Sequence, residues 1–124
     1  MRVFKNKWFN RWAHNENISD AALLTASEAI VSGHVEANLG GSLFKKRIAK
    51  AGTGKSGGYR IIVGYKRPNI ERIIFLYAFG KNERANISQK EEAALSIAAE
   101  AFISATDKQV SELLKKGSVW EVKS

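Results

Sequence analysis

Cysteine is absent from this 124-residue chain, which excludes a disulfide-stapled scaffold and a thiol nucleophile alike. Histidine is nearly absent: His14 and His34 stand apart, with no close carboxylate pair to join them. Such dispersed donors make neither a zinc set nor a two-metal carboxylate cluster, so no metal and no other cofactor is expected. His34 then reads as a residue at a helix end. No serine hydrolase triad is evident. No apolar run approaches the roughly 20 residues of a membrane span, and Met1-Arg2-Val3-Phe4-Lys5 lacks the apolar core of a secretion signal. The expected location is the cytoplasm. Acidic residues are scarce too, 12 against 20 lysines and arginines, for a formal charge of +8. A surplus of that size suits a polyanion, an acidic protein or an anionic surface.

The surplus is concentrated. From Lys45 to Arg67 there are eight basic residues and no acidic one, with a glycine-rich bend, Ala51 to Gly58, between two strand-like segments. Lys55 sits at the tip of that bend. Basic strands on both sides of a basic turn make a cationic surface on a rigid support, and nucleic acid is the partner it fits first. Gly54-Lys55-Ser56 looks like the end of a phosphate-binding loop, but the motif's opening glycine is missing and a strand follows where a helix is needed. A nucleotide triphosphatase is therefore not the reading.

Around this stretch the pattern alternates between helix and strand over a length that suits one domain, residues 1–124. Arg2 to Phe4 reads as a short strand. Trp8, Phe9 and Trp12 recur at helical spacing from Lys7 to His14 and are expected to pack that helix on the core; a base-stacking role for Trp8 or Trp12 is the alternative, with no motive while the basic stretch lies elsewhere in the sequence. Ser19 caps a helix that carries Leu23, Ser27, Ile30, Val31 and His34 in one stripe and stops near Gly33. Asn38 to Ser42 reads as a turn. Leu43 to Ala49 reads as a strand of uncertain phase, in which alternation sends Phe44, Ile48 and the stem of Lys46 to the core. Tyr59 to Tyr65 and the apolar run Ile73 to Phe79 should form an antiparallel hairpin, the second strand covered on both faces. Ser88 with Glu91, then Thr106 with Gln109, read as capping boxes that open two helices, ending near Ser104 and Gly117. The apolar tail Val119, Trp120 and Val122 packs back, adds a sheet edge or serves a partner.

Without metal, triad or thiol, a basic cluster can still cut RNA. The 2′-hydroxyl attacks the adjacent phosphorus, a lysine of lowered pKa takes its proton, and lysine or arginine offsets charge on the phosphorane and at the departing 5′-oxygen. Neighbouring cations both depress a lysine pKa and hold the phosphate. Residues alone leave binding and cleavage equally open.

Three ordered runs carry a resemblance: Lys46-Arg47-Ile48-Ala49, then Gly54-Lys55-Ser56-Gly57-Gly58-Tyr59-Arg60, then Phe79-Gly80-Lys81-Asn82-Glu83-Arg84 through Glu91. With the helix start at Ile18-Ser19-Asp20 and the turn Asn38-Leu39-Gly40-Gly41, the chain resembles the RelE/HigB superfamily of bacterial toxins over nearly its whole length, and most of all its HigB-like branch. That resemblance implies an α+β fold with N-terminal helices packed on a twisted, mostly antiparallel sheet and helices near the C-terminus. It implies cleavage of mRNA on translating ribosomes, and neutralisation by a cognate antitoxin, often one with a helix-turn-helix domain. By the same resemblance Arg60 contacts the scissile phosphate, Lys50 or Lys55 supplies proton transfer, and Lys81 and Arg84 fall in the run after the central strand. Lys46, Arg47, Tyr59, Tyr65 and Arg84 are the further expected RNA contacts. Asn82 stands where the family has a catalytic arginine and Ser88 where it has a stacking tyrosine. Lys81 or Arg84 could fill the first role, Tyr59 or Tyr65 the second. A basic binding protein without catalysis, or a ParE-like toxin with a protein target, is the alternative.

Overall fold

The computed structural model describes residues 1–49, 58–67 and 70–123. Strand β1 (Arg2–Asn6) leads into α1 (Lys7–Asn15) and α2 (Asp20–Val31), followed by β2 (Ala37–Gly40), β3 (Leu43–Ile48), β4 (Tyr59–Gly64) and β5 (Arg72–Gly80). Helices α3 (Gln89–Ser104) and α4 (Asp107–Lys116) and strand β6 (Val119–Glu121) complete the order. The strands form a six-stranded sheet, β2-β3-β4-β5-β1-β6. Only β1 and β5 run parallel; every other neighbouring pair is antiparallel. The architecture is the expected α+β arrangement, with the N-terminal and C-terminal helices flanking a mixed sheet.

The helices begin where short polar side chains can accept from the backbone. Asn6 accepts from the Phe9 N–H, Ser19 from Ala22, and Ser88 and Thr106 close full capping boxes with Glu91 and Gln109. Helix α2 ends in a wrapped turn. With Gly33 at φ +90°, the His34 N–H donates to the Ala29 carbonyl and that of Gly33 to Ile30. His34 is thus a helix-end residue, as its isolation suggests.

Each face of the sheet has its own apolar cluster. Phe9 and Ala13 of α1 and Leu23, Ala26 and Ile30 of α2 meet Ile61, Val63, Tyr65, Ile73 and Phe75 on one face. Ala99 and Phe102 of α3 and Val110 of α4 meet Phe4, Leu43, Ile62, Ile74 and Phe79 on the other. This explains the near-continuous apolar run of β5, and each large side chain so buried contributes about 1.5–3 kcal/mol. Helix α3 approaches closely because its face is alanine: a Cβ on Gly64 would stand 2.7 Å from that of Ala99. Its further anchors lie at the same end of the sheet, where Arg72 donates to the carbonyls of Phe102 (3.1 Å) and Ala105 (2.5 Å). The opposite ends of β4 and β5, at Tyr59–Arg60 and Phe79–Gly80, carry the candidate site.

Several expectations change. Residues 38–42 are not all turn: Ala37–Gly40 is an edge strand bulged at Asn38, and the reversal is confined to Gly41 and Ser42, at φ +55° and +64°. Glycine and asparagine signal the reversal, but the strand hides because it is short and half polar. In β3 the buried side chains are Leu43 and Lys45, on the α3 face, while Phe44, Lys46 and Ile48, expected at the core, are half-buried on the other. Val31 and His34 fall outside the buried stripe of α2, and Trp8 remains 43% exposed beside Tyr77. The tail belongs to the fold: β6 pairs with β1, and Val119 and Val122 are buried.

Candidate phosphate-binding site

The site is built on the β3–β4 ladder. Pairing in register sets Arg47 directly opposite Arg60, and Lys45 opposite Ile62, so strand parity assigns all three to the α3 face, with Arg47 at the margin where it also lines the groove beside α2. Lys45 and Arg60 are 9% and 8% exposed. Like charges facing each other across a ladder repel, and burying them adds a desolvation penalty.

Among the described residues one carboxylate, Glu36, answers Lys45 and Arg60. The Glu36 N–H donates to the Lys45 carbonyl at 2.8 Å, which fixes the segment entering β2 beside β3. From there Glu36 Oε2 lies 2.5 Å from Arg60 Nε, and Oε1 lies 3.7 Å from Lys45 Nζ. This leaves two buried donors without an acceptor among the described residues, Arg47 Nε and Arg60 Nη1. An unmet buried N–H costs about 1–3 kcal/mol, and more on a charged group.

Lys81 lies at the same sheet end, just past the Tyr59–Gly80 pair. Its N–H donates to the Gly58 carbonyl at 3.2 Å, and its side chain is exposed. Arg84 is committed elsewhere. It donates to both Glu91 oxygens, at 3.0 and 2.5 Å, and to the Asn86 carbonyl at 2.9 Å, while covering the Phe79 ring. The hydrogen bonds from Arg84, with those at the head of α3, push the Glu91 carboxyl down to about 2, and Glu91 in turn raises the Arg84 pKa. Arg84 therefore clamps the start of α3 first of all.

The other expected contacts point the opposite way. Lys46 shares the α2 side with Ile61, lining a 330 Å³ groove with Ala22, Thr25, Ala26, Ala29, Ile48 and part of Arg47. Tyr65 is 1% exposed with Phe44 stacked on its ring at 4.0 Å, and burial raises its pKa. That ring is not offered to a base. Tyr59 packs edge-on against Trp12 and donates to Glu16 at 2.5 Å; burial, then that bond, pushes its hydroxyl up to about 12. Strand parity decides all three, because Lys46, Tyr59 and Tyr65 alternate with the residues on the arginine face. Lys50 and Lys55 lie outside the described residues.

The roles of Glu36, Lys45 and Tyr77 on this side escape sequence reasoning, and Trp8 enters it only as a stacking alternative without a motive. Glu36 and Lys45 become visible only once β3 is in register with β4. Tyr77, opposite Ile62 and so on the Arg60 face, lines a 220 Å³ cleft with Glu91, Ala94 and Leu95. Trp8 leans on its ring at 4.5 Å. The aromatic spacing of α1 was the available signal, but nothing in the sequence brings Trp8 to the end of β5. Among the described residues no three histidine, aspartate or glutamate side chains gather as metal donors, and no helix is long and apolar enough to cross a membrane.

A family model described as the RelE toxin of the RelE/RelB toxin–antitoxin system matches residues 1–122. No curated protein matches the chain.

Proposed function

The chain belongs to the RelE toxin family of toxin–antitoxin systems, and from that premise we propose that it is an endoribonuclease that cuts mRNA on the ribosome, close to the HigB-like branch. The observation that carries this is the facing pair Arg47 and Arg60, each with a buried donor that meets no acceptor among the described residues, while Glu36 pairs with Arg60 and Lys45. A backbone phosphate offers acceptors to such donors, and arginine's planar fork suits its oxygens.

In the proposed reaction the 2′-oxygen forms a bond to phosphorus and the bond from phosphorus to the 5′-oxygen breaks. The products are a 2′,3′-cyclic phosphate and a 5′-hydroxyl. Arg60 and Arg47 hold the non-bridging oxygens as charge builds on the phosphorane. Lys50 or Lys55 moves the proton, and exposed Lys81, at the rim, steadies the departing side. Lys81 also takes the place of the arginine that Asn82 replaces. Tyr77 with Trp8 stacks the adjoining base, the task for which Ser88 is unsuited and from which Tyr59 and Tyr65 are turned away. The ribosome orients the message, which suits a site with few conventional bases.

The proposed setting is the cytoplasm, with a cognate antitoxin of helix-turn-helix type as partner. Mapping of message 5′ ends after adding protein to ribosomes loaded with a defined mRNA tests the reading, beside free mRNA and the Arg60→Ala variant. Cuts that need both ribosomes and Arg60 support it. Intact messages would point to binding alone or to a protein target.

A further inference from the structure

We propose that Glu36 is a positioning residue that sets Arg60 in the orientation it needs to work on a phosphate, an inference that rests on the nuclease reading above. Glu36 precedes β2 and belongs to none of the basic runs. Yet its backbone is tied to β3 through the Lys45 carbonyl, and its carboxylate reaches Arg60 Nε and, less closely, Lys45 Nζ.

Which nitrogen it takes matters. A guanidinium is flat, with its donors in a fixed fork, so a strong acceptor at Nε fixes the plane of the whole group. The Arg60 side chain is 10% exposed and that of Glu36 35%, so the contact is shielded on the arginine's side. Nη1 then faces a set direction, with no acceptor among the described residues. Across the ladder Arg47 pushes Arg60 away. Glu36 offsets that repulsion and keeps Arg60 against the α3 face before any RNA arrives.

Its charge has a second effect. A carboxylate beside a phosphate site weakens binding of the polyanion. Removing it should leave RNA held as well or better while the phosphate loses its aligned partner. The signature is a fall in kcat with KM unchanged or lower, which simple loss of folded protein does not imitate.

The experiment compares wild type, Glu36→Ala and Glu36→Gln on ribosomes carrying a defined message, with the Arg60 Nε–H resonance followed by ¹⁵N NMR in the isolated proteins. Glu36→Ala is expected to lower kcat roughly 100-fold, the scale of a displaced reacting group, without raising KM, and to remove the protected Nε–H signal. Glu36→Gln, which keeps an acceptor oxygen, is expected to fall between. Cleavage by Glu36→Ala at the wild-type rate, or a defect confined to KM or thermal midpoint, would overturn the proposal. If wild type itself leaves the message intact, the nuclease reading fails separately. The resonance then decides: its loss in Glu36→Ala supports the positioning role, and its persistence overturns it.

Discussion

Arg47 and Arg60 face each other across the β3–β4 ladder, each with a buried nitrogen that meets no acceptor among the described residues, and in the described ion pairs Glu36 bonds to Arg60. A fold chosen for stability alone would not keep this pair. Arg47→Met, which retains the apolar stem, should leave stability unchanged or raise it by about 0.2–1 kcal/mol, the scale of cross-strand pair effects. Message cleavage should fall in the same variant. Urea unfolding beside cleavage of ribosome-bound message checks both halves, and a large loss of stability would assign Arg47 to the scaffold.

Close approach of α3 to the sheet depends on Gly64. Gly64→Ala drives a methyl to within 2.7 Å of the Ala99 Cβ, and overpacking of that kind costs about 1–3 kcal/mol. The double variant Gly64→Ala/Ala99→Gly should recover part of the loss, as read by denaturant midpoints.

The start of α3 should respond to acid. Glu91 is held down to about 2 by Arg84 and the α3 cap, against about 4.3 for an unperturbed glutamate. A carboxyl lowered by folding stabilises fully above its unfolded pKa, and that contribution fades as pH falls toward the folded value. Wild type should therefore exceed Glu91→Gln in stability by a steady margin above about pH 5, narrowing between about pH 4 and 2. Acid titration of the unfolding midpoint checks it.

Tyr59 titrates with the opposite sense. Its hydroxyl is raised to about 12 by burial and by its bond to Glu16, against about 10 for a free tyrosine. The neutral form is the one that folding favours, so its contribution is complete below about pH 10 and disappears as pH rises through about 12. Tyr59→Phe should cost about 1 kcal/mol at neutral pH, with cleavage retained, since the hydroxyl faces Glu16 and not the arginines.

Local signals were legible in the sequence wherever one residue's chemistry fixes one turn of backbone. Ser19, Ser88 and Thr106 marked their helix starts, and the alternation of Ile61, Val63 and Tyr65 gave the correct face of β4. What stayed hidden depends on pairing between distant segments. Lys46 and Tyr59 belong to the same charged and aromatic stretch as Arg60, yet parity turns them to the other side of the sheet. Glu36 and Tyr77 join the arginine side through register alone, and an acidic residue outside the basic runs gives no hint that it will meet Arg60.

The aromatic pair beside the arginines gives a separable test. Trp8 is 43% exposed and rests on Tyr77, so Trp8→Ala should disturb the fold little. Retention of an uncleavable 2′-deoxy message on the ribosome should weaken by about 1–3 kcal/mol, the worth of one base stacked on an aromatic ring. Unchanged retention would remove Trp8 from the RNA contact.

The most direct test of the central claim is the position of message 5′ ends after purified protein meets ribosomes loaded with a defined mRNA. Ribosome-dependent cuts at the A site, abolished in Arg60→Ala while that variant remains folded, are the predicted result. Intact messages from folded wild-type protein, or equal cutting by Arg60→Ala, would contradict it.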